Sequence, residues 1–368
     1  MSEKNKILVS AGGTGGHIFP ALAVANELRR TEPDCEILFV GARGKMEMEK
    51  VPQAGYEIIG LPVRGMPRKL SFQIFSFIIT LMKSWFLARK IVKKFNPDVA
   101  VGFGGYASGP VLHWAEKLKI PTIIQEQNSF AGKTNKMLAK KASAICVAYE
   151  GMEKFFPKSK IVFTGNPIRK VIFENKSSSN QAIQFFNLNS KKLTVLVLGG
   201  SLGARSINNQ ILDSLSSFSE TDYQLLWQTG KLYYDEMIEK TRSIDLTDIR
   251  ILQFIDRMDM AYSAADVIIS RAGAATISEL CLVGKPVILI PSPNVAEDHQ
   301  THNARALSEK QAAILLPDNK VNMLTDVLEK LISDKELRAE LAINIKKLAI
   351  PNADEQIANE VRKYLSEK

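Results

Sequence analysis

The residues most ready to do chemistry in this chain are glycines. Ile7-Leu8-Val9-Ser10-Ala11-Gly12-Gly13-Thr14-Gly15-Gly16-His17 carries an apolar, β-type run into a glycine turn, with a helical pattern from Pro20 onward. In the second half, Val195-Leu196-Val197-Leu198-Gly199-Gly200-Ser201-Leu202-Gly203-Ala204-Arg205 repeats the design. Such loops bring backbone N–H groups close to a phosphate or a sugar, and the following helix adds its unpaired N–H groups and positive dipole end. One loop alone is equally well a packing turn. Two, one per half, point to a two-lobed enzyme with a ligand cleft. A third glycine turn, Gly102-Phe103-Gly104-Gly105-Tyr106-Ala107-Ser108-Gly109-Pro110, ends the run 99–101, where the ligand rim of an open sheet lies.

Other chemistries lack their residues. A dinucleotide site needs an acid at the end of the second strand to hold a ribose. Here those runs end Phe39-Val40-Gly41-Ala42-Arg43 and Leu226-Trp227-Gln228-Thr229-Gly230. The pattern GxxxxGK[ST] of phosphate-loop NTPases is missing, and no Asp-x-Asp triplet is present to clamp a divalent ion. Cys35, Cys146 and Cys281 are widely spaced in apolar runs and read as reduced core residues, not as a zinc site or a disulfide frame.

Positioning three such loops requires strands that end where they begin. Short β-branched runs occur at 6–10, 36–40, 99–102, 122–125, 145–147 and 161–163, and again at 193–198, 224–228, 249–254, 267–269, 287–290 and 313–315. Many are continuously apolar, as strands buried on both faces of a parallel sheet are, and helical patterns alternate with them. The pattern predicts an α/β chain of doubly wound domains, about six strands on each side of a polar gap. That gap, Lys176-Ser177-Ser178-Ser179-Asn180-Gln181, reads as a loop after a domain boundary, with the hinge at Gly165-Asn166-Pro167. A last amphipathic helix is expected over 354–366, with Ile357, Val361 and Leu365 on one face and Pro351 breaking the helix before it.

Further motifs follow in a set order: Glu126-Gln127-Asn128, Gly165-Asn166-Pro167-Ile168-Arg169, Phe254-Ile255-Asp256, Arg271-Ala272-Gly273-Ala274-Ala275-Thr276-Ile277-Ser278-Glu279 and Asp298-His299-Gln300. With the three glycine loops, they make the sequence closely resemble the MurG family, bacterial transferases that add N-acetylglucosamine to lipid I in peptidoglycan synthesis. The resemblance spans nearly the whole chain. It implies a GT-B fold, two Rossmann-like domains with parallel sheets facing an interdomain cleft. Residues 1–165, joined by the C-terminal helix 350–368, are then the acceptor domain, and 166–349 the UDP-N-acetylglucosamine domain. By the same resemblance Ile255 offers its backbone to uracil, Arg169 contacts the nucleotide, and Glu279 accepts from the ribose hydroxyls. Ser201 and its glycine neighbours cradle the diphosphate, with Gly273 and Ala274 opening a helix N-terminus behind it. Asn128, Thr276 and either Gln300, which is favoured, or His299 reach the sugar, while Thr14, Gly15 and Gly16 are donor contacts from the first loop. Family members often carry His where this chain has Gln125, so no imidazole at that position is essential here.

The implied reaction is an inverting displacement onto the C4 hydroxyl of the acceptor's N-acetylmuramyl sugar. Negative charge grows on the departing UDP, and pre-aimed amides with a helix dipole can stabilise it without a metal. The expectation is an enzyme that needs neither metal nor cofactor. The acceptor hydroxyl must lose its proton to a base within hydrogen-bond reach. Of four histidines, His17 alone directly follows a glycine loop. An imidazole there either takes the proton or caps the helix, and Glu126 competes for the role.

The chain has 368 residues, 45% of them hydrophobic, which excludes disordered and disulfide-scaffold classes and suits about two domains. Its 48 Lys and Arg against 39 Asp and Glu give a net charge of +9, suited to nucleic acid, an anionic membrane or phosphorylated ligands. No nucleic-acid-binding consensus accompanies the charge, so no nucleic-acid partner is expected. The opening residues run straight into Ile7-Leu8-Val9, which does not read as a signal peptide. The apolar, aromatic stretch 70–90 is interrupted by Lys83 too early to span a bilayer. It reads either as a helix buried between layers or as one that faces lipid, flanked by Arg68, Lys69, Lys83, Lys90, Lys93 and Lys94. With a lipid-linked acceptor, the second reading makes residues 68–94 a contact with an anionic membrane surface, peripheral on its cytoplasmic face. Competing readings are a UDP-sugar epimerase on the same scaffold and a non-catalytic nucleotide-sugar-binding protein.

Overall fold

A computed structural model of the chain describes residues 4–63, 73–168, 178–215 and 222–365, with the side chains of 73–78 and of 296 outside the description. It divides into two compact units, residues 1–168 with 350–368, and residues 169–349.

The first unit holds a seven-stranded sheet. Its strands are β1 (Lys6–Ser10), β2 (Glu36–Ala42), β3 (Glu57–Leu61), β4 (Val99–Gly102), β5 (Thr122–Glu126), β6 (Ala144–Val147) and β7 (Ile161–Phe163). They lie in the order β3-β2-β1-β4-β5-β6-β7 and pair in parallel throughout. Alternate residues of one strand feed two cores. Ile7 and Val9 enter a cluster with the helices Gly15–Thr31 and Ala353–Arg362, whereas Leu8 enters another with the helices Gln73–Phe95 and Ser108–Lys117. That double burial explains the unbroken apolar runs.

The second unit repeats the plan with β8 (Leu193–Leu198), β9 (Tyr223–Gln228), β10 (Ile249–Leu252), β11 (Val267–Ser270), β12 (Val287–Leu289) and β13 (Ile314–Leu315), in the order β10-β9-β8-β11-β12-β13. In both sheets the order reverses beside the first strand, at the point where open α/β sheets bind ligands. Ser10 pairs with Gly102 and Leu198 with Ser270 at the strand ends, so two functional loops leave each sheet side by side.

Three sequence expectations need correction. The seventh strand of the first unit, β3, was not among the runs, because it is an edge strand with exposed Glu57 and Ile59 and a glycine at 60. Residues 178–181 are not loop. Ser178 caps the helix Ser179–Phe185, its hydroxyl accepting from the Gln181 amide while the Gln181 side chain accepts from the Ser178 amide. The last helix is Ala353–Arg362; Ile357, Ala358 and Val361 bury against the first unit's core, and Arg362 pairs with Glu32 at 2.7 Å.

Candidate functional site

The first unit brings the first and third glycine loops into direct contact. A Cβ on Gly105 would lie 2.1 Å from the Gly12 oxygen, and one on Gly104 would lie 3.0 Å from the His17 ring. Both residues also have positive φ, +83° and +93°, so glycine is required twice over. Ser108 secures the third loop from below, its hydroxyl contacting the oxygens of Ser10 at 3.0 Å and Gly104 at 2.7 Å. Beneath the first loop lies Glu47, fully buried, with Oε1 accepting from the amides of Gly13 at 3.0 Å and Ala42 at 2.8 Å.

His17 is held by its loop. Its Nδ1 stands 3.1 Å from the Gly12 oxygen and 3.1 Å from Thr14 Oγ1. A carbonyl only accepts, so this network assigns the proton to Nδ1 and the basic lone pair to Nε2. Thr14 occupies the N-cap position of the helix Gly15–Thr31 without a side-chain capping bond, so its hydroxyl does not close the anion-attracting end that Gly15 and Gly16 begin.

Glu126, the alternative to His17 as proton acceptor, has both carboxylate oxygens engaged by its own loop. Its Oε1 accepts from the Asn128 amide at 3.1 Å and the Asn128 side chain at 3.3 Å; its Oε2 accepts from the Gly132 amide at 3.0 Å and Asn135 at 2.9 Å. The side chain is 2% exposed, and burial raises its pKa against these four donors. It is the staple of the loop that presents Asn128. Gln125 is structural too. Its amide donates to Asn166 Oδ1 at 3.0 Å, and Asn166 donates to the Gln127 oxygen at 3.0 Å, tying β5 to the turn at 165–167.

In the second unit the loop after β8 is equally constrained. A Cβ on Gly203 would meet the Thr229 oxygen at 2.1 Å, and Ala204 caps the helix Arg205–Ser214 with no side-chain bond. Ser201 is exposed at the loop's tip. The side chain of Gln228 joins this loop to the next. It donates to the Gly200 oxygen at 3.2 Å and accepts from the Ile255 amide at 2.9 Å. The Ile255 backbone therefore has its N–H engaged, which narrows its expected contact with a base to the carbonyl.

Gly273 is the N-cap of the helix Ala274–Val283, again without a side-chain cap, and Thr276 lies in its first turn. Five residues past the cap's neighbour, Glu279 is 8% exposed and accepts from the Tyr262 hydroxyl at 3.2 Å. Arg271, just ahead of the cap, donates to Asp318 at 2.6 Å, to Ser206 at 2.9 Å and to the oxygens of Ile290 and Pro291 at 3.1 Å each. That side chain ties the two loops to one scaffold. Gln300 lies in the helix His299–Ser308, and its Oε1 accepts from the Ser292 amide at 2.8 Å. Glu297 and Asp298 ahead of it both have positive φ, +54° and +50°. Arg169 lies outside the described residues. Glu47, Gln228, Tyr262 and the Arg271 clamp were not anticipated, since each acts on a partner distant in sequence and carries no local pattern.

The described part of the basic, aromatic segment is the helix Gln73–Phe95. Ser84, Ala88, Ile91, Val92 and Phe95 are buried, and the His113 ring lies 4.5 Å from the Trp85 ring, tilted by 42°. Ile79, Leu81, Met82 and Phe86 are exposed, so this portion is not a helix buried between layers. Phe86 lines a shallow groove with Arg89, Lys90, Lys93 and Lys94. Arg68, Lys69 and the side chains of 73–78 lie outside the description. Among the described residues no helix is long and apolar enough to cross a membrane.

Residues 7–147 match the glycosyltransferase family 28 N-terminal domain, and residues 194–357 match its C-terminal domain. A Parabacteroides distasonis protein named UDP-N-acetylglucosamine–N-acetylmuramyl-(pentapeptide) pyrophosphoryl-undecaprenol N-acetylglucosamine transferase is 52% identical over 367 residues, covering all of both chains. The crystal structure of Acinetobacter baumannii MurG superposes with a TM-score of 0.78 at 28% identity, covering 98% of this chain and 100% of that one. A Neisseria meningitidis UDP-GlcNAc 2-epimerase, at 14% identity, 97% and 100% coverage and a TM-score of 0.66, shares the fold alone. Two parallel sheets of this order, with loops at both switch points and full-length identity to those transferases, make a GT-B glycosyltransferase: the chain belongs to the MurG family.

Proposed function

We propose that the chain carries out the reaction for which its relatives are named, moving N-acetylglucosamine from UDP-N-acetylglucosamine to the C4 hydroxyl of the N-acetylmuramyl sugar of lipid I, with inversion. The observation that carries this reading is 52% identity, end to end, to transferases so named. The geometry supports the following roles. Nε2 of His17 takes the acceptor's proton as the C4 oxygen attacks the anomeric carbon, and the bond to the UDP oxygen breaks. Ser201 with its loop amides, and the uncapped end of the helix that Gly273 and Ala274 begin, receive the charge that grows on the diphosphate. The reading gives the leaving group's charge to these backbone donors and includes no metal and no cofactor. The Ile255 carbonyl accepts from uracil, Glu279 from the ribose, and Arg169 contacts the nucleotide. Asn128, Thr276 and Gln300 hold the sugar, with Thr14, Gly15 and Gly16 contributing from the first loop.

A lipid-linked acceptor requires work at a membrane. Exposed Ile79, Met82 and Phe86 beside Arg89, Lys90, Lys93 and Lys94 support a peripheral contact of residues 68–94 with an anionic, cytoplasmic leaflet. Incubation with labelled UDP-N-acetylglucosamine, with and without lipid I, tests the activity. Acceptor-dependent UDP release is the expected result; isomerisation of the donor alone would instead favour epimerase chemistry. For the membrane contact, Ile79→Glu with Phe86→Glu should abolish binding to vesicles containing phosphatidylglycerol without lowering Tm.

A further inference from the structure

Glu47 and His17 hydrogen-bond to opposite ends of one peptide group. The Gly13 N–H donates to Glu47 Oε1 at 3.0 Å, and the Gly12 oxygen of the same amide stands 3.1 Å from His17 Nδ1. Glu47 is fully buried; among the described residues its Oε2 has no hydrogen-bond partner, and its hydrogen-bonded contact is Oε1 with its two backbone donors. An amide whose N–H is given to a carboxylate has a more negative oxygen, and hydrogen bonds in such a chain strengthen one another. We propose that Glu47 is a positioning residue that acts on His17 through the Gly12–Gly13 peptide group, holding the ring as its Nδ1–H tautomer and strengthening Nε2 as a proton acceptor. It is a carboxylate–imidazole pair with one amide inserted between its members. The inference rests on the transferase reading only where it concerns turnover.

Two glycines leave room for this contact. A Cβ on Gly12 would lie 2.6 Å from Glu47 Oε1, and one on Gly41 would lie 2.6 Å from Glu47 Cγ, so glycines on both sides admit the side chain. Among the described residues, other ionisable groups on the surrounding elements are few. The helix of His17 has no acid in its first turn. The loop 102–110 brings Tyr106, which is 60% exposed, and the end of β5 brings Glu126, whose oxygens are taken by its own loop. The turn ahead of Glu47 brings Arg43 and Lys45.

The test is Glu47→Gln in the full chain, which keeps an oxygen for both amides and removes the charge. Ring ¹⁵N and ¹³C shifts of His17 give its tautomer and titration, and kcat against pH gives the acid limb of turnover. The expected result is a fall of about half a pH unit or more in the His17 titration, matched by the acid limb, with the KM for UDP-N-acetylglucosamine unchanged. In a His17→Ala background, Glu47→Gln should cost no further activity. An unmoved His17 titration overturns the inference. A moved titration with an unmoved acid limb supports the link between Glu47 and His17 but removes His17 as the base, so the two failures are distinguishable. Should Glu47→Gln not fold, the wild-type ring decides: an Nε2–H tautomer overturns the inference, and Nδ1–H supports it.

Discussion

Gln228 Oε1 accepts the buried amide of Ile255 at 2.9 Å, while the same side chain donates to the oxygen of Gly200 in the loop after β8. One amide thus spans the position read as the base contact and the loop read as the diphosphate cradle. Gln228→Ala leaves the Ile255 N–H buried without a partner, a cost of about 1–3 kcal/mol. UDP binding by calorimetry should weaken about tenfold, the equivalent of about 1.4 kcal/mol. Gln228→Glu keeps an acceptor for Ile255 but sets a carboxylate beside the diphosphate, so it should weaken UDP far more than uridine. Equal losses for the two ligands would contradict the arrangement.

His17→Ala should lower kcat by about 10²- to 10⁴-fold, the usual range for loss of a general base. Affinity for UDP-N-acetylglucosamine, measured by the same calorimetry, should stay within a factor of about two, because His17 is read as acting on the acceptor's proton and not on the donor. A variant that retains kcat would remove the proton-transfer role.

The two glycine loops allow a comparison of steric and torsional cost. A Cβ on Gly105 collides with the Gly12 oxygen, whereas one on Gly13, also at positive φ, meets nothing within 4 Å. Gly13→Ala should lower stability by about 1 kcal/mol from backbone strain alone. Gly105→Ala must displace the first loop and should cost several times more, with a large loss of kcat. Denaturant unfolding of both variants measures the difference.

Burial keeps the proton on Glu126 more firmly in the folded chain than in the unfolded one. A raised folded pKa contributes stability that is present below the ordinary carboxylate range and is lost as pH rises through the folded value. Unfolding free energy measured from pH 4 upward should therefore contain a falling component that Glu126→Gln removes. That variant should also lose stability by about 1–3 kcal/mol at every pH, since one amide oxygen cannot serve four donors.

If backbone amides alone receive the leaving diphosphate, excess EDTA should leave the transfer rate unchanged. Ser201→Pro, which deletes one N–H of the cradle, should lower kcat by about 10-fold or more. A chelator-sensitive rate restored by Mg²⁺ would count against the reading.

Much of this protein was legible in local sequence. Apolar β-branched runs and the glycines after them state where strands end, because strand burial and positive φ are decided by a few neighbouring residues. The edge strand β3 escaped because half of it faces solvent, and the helix after Ser178 because its capping box lies in a polar run. The folded chain alone decided which side chains support the loops. Glu47 reaches Gly13 across 34 residues, Gln228 reaches Ile255 across 27, and Gln125 reaches Asn166 across 41. These contacts exist because sheet order makes neighbours of strand ends far apart in the chain. A buried amide or carboxylate then takes whichever backbone donor that order delivers, and no spacing in the sequence records the choice.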